Sequence, residues 1–190
     1  MSEVLPPDFP GIYVLPLILV VALLLLWLLH RRRVGQKRSL ATVLKQIGFE
    51  RYDNLIVPNG DEGEIQIDHV LLTANGVLII HVKDVIGTVF GSDKMQEWAV
   101  ISENRRFTFA NPQPALYDRI AAVRHIVREV PVAGRILFLD EATFTKGVPE
   151  LVCTLDDLLS DFGETDRSSA KVKVEAFRPH WEKMRRFAGG

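Results

Sequence analysis

Two short polar stretches in the middle of the chain contain residue types that could act on a phosphodiester. Asp68 lies near the end of the first stretch, and His81 and Lys83 frame the second, His-Val-Lys. Metal-assisted cleavage needs carboxylates that converge on one or two divalent cations, with a base or a charge that positions water. An Asp on one strand facing a Glu-x-Lys triplet on its neighbour would meet this need. The spacing of such a triplet is present here, but His81 stands at the position of its carboxylate.

A β-hairpin is predicted to position these residues. Residues 64–73 and 77–83 have strand character, and Asn75-Gly76 between them is a two-residue turn typical of hairpins. Because side chains alternate across a strand, Glu64 is predicted to share a face with Asp68, and His81 to share one with Lys83. The polar residues of both strands therefore lie at one end of the hairpin, far from its turn.

The rest of the pattern predicts a mixed α/β domain. Amphipathic helices are predicted at residues 40–47, 117–130 and 155–162. Further strands are predicted at residues 55–57, 85–90, 97–101, 107–109, 135–139 and 151–154. The tail, residues 169–187, is mixed and basic, with helical character near its end.

A membrane anchor is predicted ahead of this domain. Residues 12–29 contain no charge, and as a helix they would span about 27 Å, close to the thickness of a bilayer core. Arg31, Arg32 and Arg33 follow at once, whereas the preceding residues carry only acidic charges, so the C-terminal side is predicted to be cytoplasmic. These charges are opposite to those of a cleavable signal peptide. We therefore expect a single-pass protein of the inner (cytoplasmic) membrane with its N-terminus outside.

The predicted organisation has five parts. They are a short extracytoplasmic tail at residues 1–11, the anchor at 12–29, a basic linker at 30–38, the folded domain at 39–165 and a C-terminal extension at 166–190.

The amino-acid composition excludes several classes of protein and of binding site. Hydrophobic residues make up 47% of the 190 residues and charged residues 25%, which excludes a disordered chain. The single cysteine, Cys153, excludes an internal disulfide and a cysteine-based zinc site. Beyond the basic linker the chain carries 18 basic and 22 acidic residues, which argues against tight nonspecific binding of nucleic acid.

Several of these stretches together resemble the nuclease-related domain, or NERD, family. The resemblance covers about residues 38 to 162. The similar positions are Gln66 to Leu72, Asn75 to Ile80, His81 to Lys83, Gly87, Trp98 and Asn111-Pro112. It implies a core similar to the restriction-endonuclease-like PD-(D/E)xK fold, with a mixed sheet flanked by helices. It also implies a metal-dependent nuclease role in DNA or RNA processing.

The chain departs from the family pattern at the site itself. Asp68 and Lys83 match, His81 replaces the expected Glu, and Ala115 stands where a Gln is expected, with Gln113 two residues earlier. Imidazole suits Mn²⁺ or a softer ion, whereas Mg²⁺ prefers oxygen ligands. If the domain is active, the predicted metal ligands are Asp68, Glu64 and His81, with Mg²⁺ or Mn²⁺ as cofactor, and the predicted catalytic residues are Asp68, His81 and Lys83.

Two other functions stay open at this stage. The missing carboxylate also fits a noncatalytic, membrane-tethered scaffold or sensor that keeps the nuclease fold and binds a cytoplasmic protein. A third possibility is an adaptor close to the lipid surface that acts through Arg31, Arg32 and Arg33. Nucleic acid is the expected partner only under the nuclease hypothesis.

Overall fold

The computed structural model of the protein describes residues 39–60, 63–103, 105–139, 141–163 and 166–187. The predicted anchor at residues 12–29 and its flank Arg31 to Arg33 lie outside these ranges and stay predictions. Within the described ranges, no helix combines the length and the apolar character needed to cross a bilayer.

Nine strands and four α-helices make up the described residues. The helices are α1 (Leu40–Ile47), α2 (Pro112–Val127), α3 (Leu155–Phe162) and α4 (Arg167–Trp181), and a 3₁₀ helix (Glu182–Phe187) follows α4. The strands are β1 (Glu50–Pro58), β2 (Glu64–Thr73), β3 (Gly76–Lys83), β4 (Gly87–Phe90), β5 (Glu97–Ile101), β6 (Arg106–Ala110), β7 (Val132–Phe138), β8 (Ala142–Phe144) and β9 (Val152–Cys153). The predicted mixed α/β class is thereby confirmed.

The strands form two sheets. Sheet 1 has the order β1-β2-β3-β7-β9, in which β1, β2 and β3 are antiparallel neighbours and β7 and β9 continue parallel to β3. Sheet 2 has the order β6-β5-β4-β8. The helix α2 connects β6 of sheet 2 to β7 of sheet 1, so it links the two sheets along the chain.

Sheet 1 is buried on both faces. Val70 and Ile79 pack into a larger core with α2, α4 and the inner face of sheet 2, whereas Leu71 and Ile80 pack into a smaller core with α1 and α3. A strand buried on both faces needs an uninterrupted apolar sequence, and residues 77–80 of β3 are such a run. The central strands are therefore held rigidly from both sides.

The predicted hairpin is confirmed, with β2 at residues 64–73 as expected. Thr73 pairs with Gly76 at the turn, where Gly76 has φ of +113°. A Cβ at that position would lie 2.3 Å from the carbonyl oxygen of Pro131, so only glycine fits this turn.

Other helices and strands are predicted with the correct type of secondary structure, but their first or last residues differ from those observed. Helix α2 begins at Pro112 instead of residue 117, because the side chain of Asn111 accepts a hydrogen bond from the amide of Gln113 and caps it. It ends at Val127, and the next residue, Arg128, has φ of +40°. Strand β8 was missed, since its three residues show no alternation of their own. The C-terminal tail forms a longer helix than expected, α4.

Candidate active site

The two central strands of sheet 1 separate at Asp68 and His81. Pairing between β2 and β3 runs from the turn to His69 and Ile80 and stops there. Beyond that point β2 continues to Glu64 with only β1 as its neighbour, and β3 continues to Lys83 with β7 as its neighbour. Asp68 and His81 are thus the first residues past the last pair. A split between neighbouring strands frees backbone groups and makes room for a polar site.

Asp68 bridges this split. Its Oδ2 accepts a hydrogen bond of 2.9 Å from the backbone amide of Val82 and lies 2.8 Å from Nδ1 of His81. The carboxylate therefore contacts β3 where the backbone of β2 no longer pairs with it. The side chain of Asp68 is 32% exposed and that of His81 is 15% exposed, so both members of the pair are partly accessible to solvent.

The carboxyl group of Asp68 is ionised at neutral pH. Burial raises its pKa, but the hydrogen bonds from His81 and Val82 and the positive charges of His81 and Arg119 outweigh burial, and the net pKa is lowered. An ionised carboxylate can only accept hydrogen bonds, so Nδ1 of His81 carries the proton that is shared with it. In neutral His81 the other ring nitrogen, Nε2, then carries a lone pair that can accept a proton or bind an ion.

Arg119 on α2 supplies a positive charge to this site. Its Nε donates a hydrogen bond of 2.9 Å to the carbonyl oxygen of Gln66, and its Nη1 donates one of 2.8 Å to that of Ala115. The residues predicted for the site from the sequence do not include Arg119. No local pattern reveals that its side of α2 crosses the free end of β2, so the residue was missed.

Lys83 lies at the same strand end and contacts sheet 2. It shares the larger-core face of β3 with His81, as alternation predicts. Its Nζ lies 5.6 Å from the centre of the Phe109 ring on β6. The ammonium group therefore packs on an aromatic ring of sheet 2.

The alternation of side chains predicted for β2 does not hold along the whole strand. Ile65 and Ile67 pack against the same larger core as Val70, so the strict alternation along β2 is broken near Asp68. The cause lies on the neighbouring strand, where Asn54 has φ of +52° and the β1–β2 pairing skips one step opposite Asp68. Glu64 is exposed, and four extended residues place it about 13 Å along the strand from Asp68. That separation is too long for both carboxylates to hold one ion.

The part of the chain that carries this site matches a known protein family. Residues 31–139, more than half of the chain, match the family described as NERD, nuclease-related domain. The chain belongs to the NERD family. The matched range contains α1, α2 and β1 to β7, and with them Asp68, His81, Lys83 and Arg119.

A short stretch of the chain is also similar to a bacterial protein. An uncharacterized protein of Bacillus anthracis is 28% identical over 64 residues, which cover 34% of this chain and 30% of that protein. The chain thus spans less than a third of the length of this relative. No solved structure matches the chain.

The donor set of the NERD site does not fit a magnesium ion held by the protein alone. Within the described ranges, no three His, Cys, Asp or Glu side chains lie close enough together to hold a metal ion. Asp68 and His81 offer one carboxylate and one imidazole, whereas Mg²⁺ requires a nearly octahedral shell of oxygen atoms. Of the three predicted metal ligands, the structure brings Asp68 and His81 into contact, but Glu64 lies at the far end of the strand.

A second Asp–His pair joins β1 and β2 at a point where the two strands remain paired. His69 lies 2.6 Å from Asp53 on β1, and Asp53 also forms an ion pair of 2.9 Å with Arg51. This pair joins two strands whose backbones remain paired at Asp53 and His69. These contacts give His69 a structural role between β1 and β2.

Proposed function

We propose that this chain is a membrane-anchored NERD protein whose domain hydrolyses phosphodiester bonds in nucleic acid, with Asp68 and His81 as the catalytic pair. The observation that carries this proposal is the hydrogen bond of 2.8 Å between His81 and an ionised Asp68 at the strand split. Membership of a nuclease-related family supports the choice of substrate class. We also propose that the core has the restriction-endonuclease-like arrangement, because the polar site lies where two central strands part.

The pair has the chemistry of an oriented general base. Asp68 holds the imidazole by Nδ1, so Nε2 of His81 takes a proton from a water molecule as the water oxygen bonds to phosphorus. The phosphorus–oxygen bond to the departing nucleotide then breaks, and that oxygen takes a proton from solvent. His81 returns its extra proton to solvent, and the products are an alcohol and a phosphomonoester. Arg119 and Lys83 are the cations that would face the phosphate.

A divalent cation is the cofactor expected for nucleases of this kind. Because the described donor set does not fit a protein-held Mg²⁺ ion, no step of the proposed reaction passes through a metal. Mn²⁺ accepts an imidazole ligand more readily than Mg²⁺ does. Comparing Mg²⁺, Mn²⁺ and a chelator in the same cleavage assay therefore tests the cofactor separately from the Asp–His pair.

The decisive experiment is a cleavage assay with matched variants. The full-length chain is incubated with plasmid, single-stranded DNA or RNA, in Mg²⁺, in Mn²⁺ and in EDTA. We expect Asp68→Asn and His81→Ala to lower the cleavage rate at least about a hundredfold. His69→Ala removes the other Asp–His contact of the hairpin and should leave the rate unchanged. Absence of cleavage by the wild type, or equal cleavage by Asp68→Asn, would overturn the catalytic proposal.

One observation favours a second function, a noncatalytic scaffold or sensor. The position expected to carry the Glu of a Glu-x-Lys triplet carries His81, and Glu64 is too far away to replace it. A scaffold would bind a cytoplasmic protein or nucleic acid without cutting. The cleavage assay separates the two functions, because a scaffold should leave every substrate intact in Mg²⁺, in Mn²⁺ and in EDTA.

The cellular location is part of the same proposal. The basic residues after the apolar segment 12–29 support a single pass through the inner membrane with the NERD domain on the cytoplasmic side. A reporter fused to the C-terminus and tested for cytoplasmic activity checks this orientation. Replacing Arg31, Arg32 and Arg33 by Gln should weaken the orientation if these charges determine it.

A further inference from the structure

The edge strand of sheet 2 carries an unusual pair of aromatic side chains. Strand β6 pairs only with β5 within the described residues, so one of its backbone edges is free there. Phe107 and Phe109 lie on the same face of β6, with ring centres 6.4 Å apart. Phe109 packs against Trp98 in the core, but Phe107 is 42% exposed. An exposed aromatic ring beside a partly buried one offers a flat surface that the core of the domain does not use.

Cations lie at both ends of this aromatic pair. Lys83 places its Nζ 5.6 Å from the centre of the Phe109 ring, and the exposed Arg105 and Arg106 directly precede Phe107. We call Lys83, Phe109, Phe107 and Arg105 the β6 strip. Because Lys83 follows His81 by two residues on β3, one end of the strip lies at the candidate active site.

A cavity of about 780 Å³ lies at the other end of the strip. Phe107, Arg105 and two exposed isoleucines, Ile86 and Ile101, contribute to its wall. Three acidic residues also line it, namely Asp84, Glu103 and Glu141. Carboxylates repel phosphate but accept hydrogen bonds from the N–H groups of bases, which are amino groups in adenine, cytosine and guanine and the ring N3–H in thymine and uracil. The cavity therefore suits a base, whereas phosphates suit the Lys83 and Arg105 ends of the strip.

We propose that the β6 strip binds single-stranded nucleic acid and leads it to Asp68 and His81. Stacking on an aromatic side chain requires an unpaired base, and a duplex does not offer the face of its bases to Phe107. The strip has a cation at each end and two aromatic rings between them. This order matches single-stranded nucleic acid, in which phosphates and stacked bases run side by side. This inference rests on the proposed function and assigns its substrate class.

Binding is tested without cleavage. The full-length chain carrying Asp68→Asn is mixed with fluorescent oligonucleotides of about 20 nucleotides, namely single-stranded oligo-dT, single-stranded oligo-U and a duplex, and anisotropy is measured. We expect both single strands to bind more tightly than the duplex. Phe107→Ala should weaken the single strands at least about fivefold, and Phe107→Trp should restore their affinity. Lys83→Gln and Arg105→Gln should each lower the salt dependence of binding by about one phosphate contact.

The control is an exposed aromatic residue away from the strip. Tyr117 on α2 is 54% exposed, and Tyr117→Ala should leave the affinity unchanged. The inference is overturned if Phe107→Ala binds as tightly as its parent, if the duplex binds more tightly, or if no oligonucleotide binds and the strip serves a protein partner instead. Cleavage that needs Asp68 but not Phe107 would overturn the strip alone, whereas Phe107-dependent binding without cleavage would overturn the catalytic proposal alone.

Discussion

Arg119 of α2 donates a hydrogen bond of 2.9 Å to the carbonyl oxygen of Gln66, two residues before Asp68. Past the strand split, β2 has lost β3 as a neighbour, and this bond ties its backbone to the helix that packs across it. The same guanidinium contributes to the lowered pKa of Asp68. Arg119 therefore both positions the strand that carries the carboxylate and adds positive charge beside it.

Arg119→Lys should lower the cleavage rate about tenfold or more while the chain stays folded. Lysine keeps the charge but cannot donate to two carbonyl oxygens from a rigid planar group. The control is Arg124→Lys on the same helix, since Arg124 donates to the carbonyl oxygen of Val132 at 3.1 Å, away from Asp68. Steady-state cleavage rates and thermal melting are measured for both. An equal loss of cleavage rate in the two variants would mean that Arg119 acts only through the stability of the domain.

The stability of the domain should depend on pH through Asp68. Its pKa is lowered in the folded state, so its contribution to stability is present above the unfolded pKa of about 3.9 and is lost as pH falls through the folded pKa. Asp68→Asn should therefore cost about 1 to 3 kcal/mol of unfolding free energy at neutral pH and progressively less below about pH 4. Urea unfolding at several pH values measures this difference. A constant difference down to low pH would contradict the ionised carboxylate.

Cys153 should be inert in the native protein. Burial is the main cause that raises the pKa of its thiol to about 12, so almost no reactive thiolate is present near neutral pH. Because Cys153 is the only cysteine of the chain, one alkylation per molecule gives a clear result. We expect negligible labelling by iodoacetamide in buffer and complete labelling in guanidinium chloride. Rapid labelling of the native chain would show that the strand end at β9 opens readily.

How far the sequence predicts the fold depends on the range of the interactions involved. The hairpin of β2 and β3 was predictable because its turn, Asn75-Gly76, lies between two apolar runs and needs no distant partner. The pairing of Asp68 with His81 followed from that hairpin. The break in alternation along β2 was not predictable, since it lies opposite the left-handed backbone of Asn54 in another strand. Arg119 was missed for the same reason, because helix α2 meets β2 only in the folded chain.

The C-terminal extension is part of the folded core, although the sequence assigned it no role. The ring of Trp181 stacks on that of Tyr52 with centres 4.9 Å apart, and its Nε1 donates a hydrogen bond of 2.9 Å to Glu50. Arg178 of the same helix forms an ion pair with Glu50. The end of α4 thus covers the first strand of sheet 1 and closes the larger core.

Trp181→Ala should therefore destabilise the domain by about 3 to 5 kcal/mol, since it removes a fully buried indole and leaves a cavity beside Tyr52. Val172→Ala on the same helix is the matched control, because Val172 is 74% exposed and its loss should change stability by less than about 0.5 kcal/mol. Urea unfolding followed by circular dichroism measures both. If Trp181→Ala lowers the free energy of unfolding no more than Val172→Ala does, α4 does not contribute to the core.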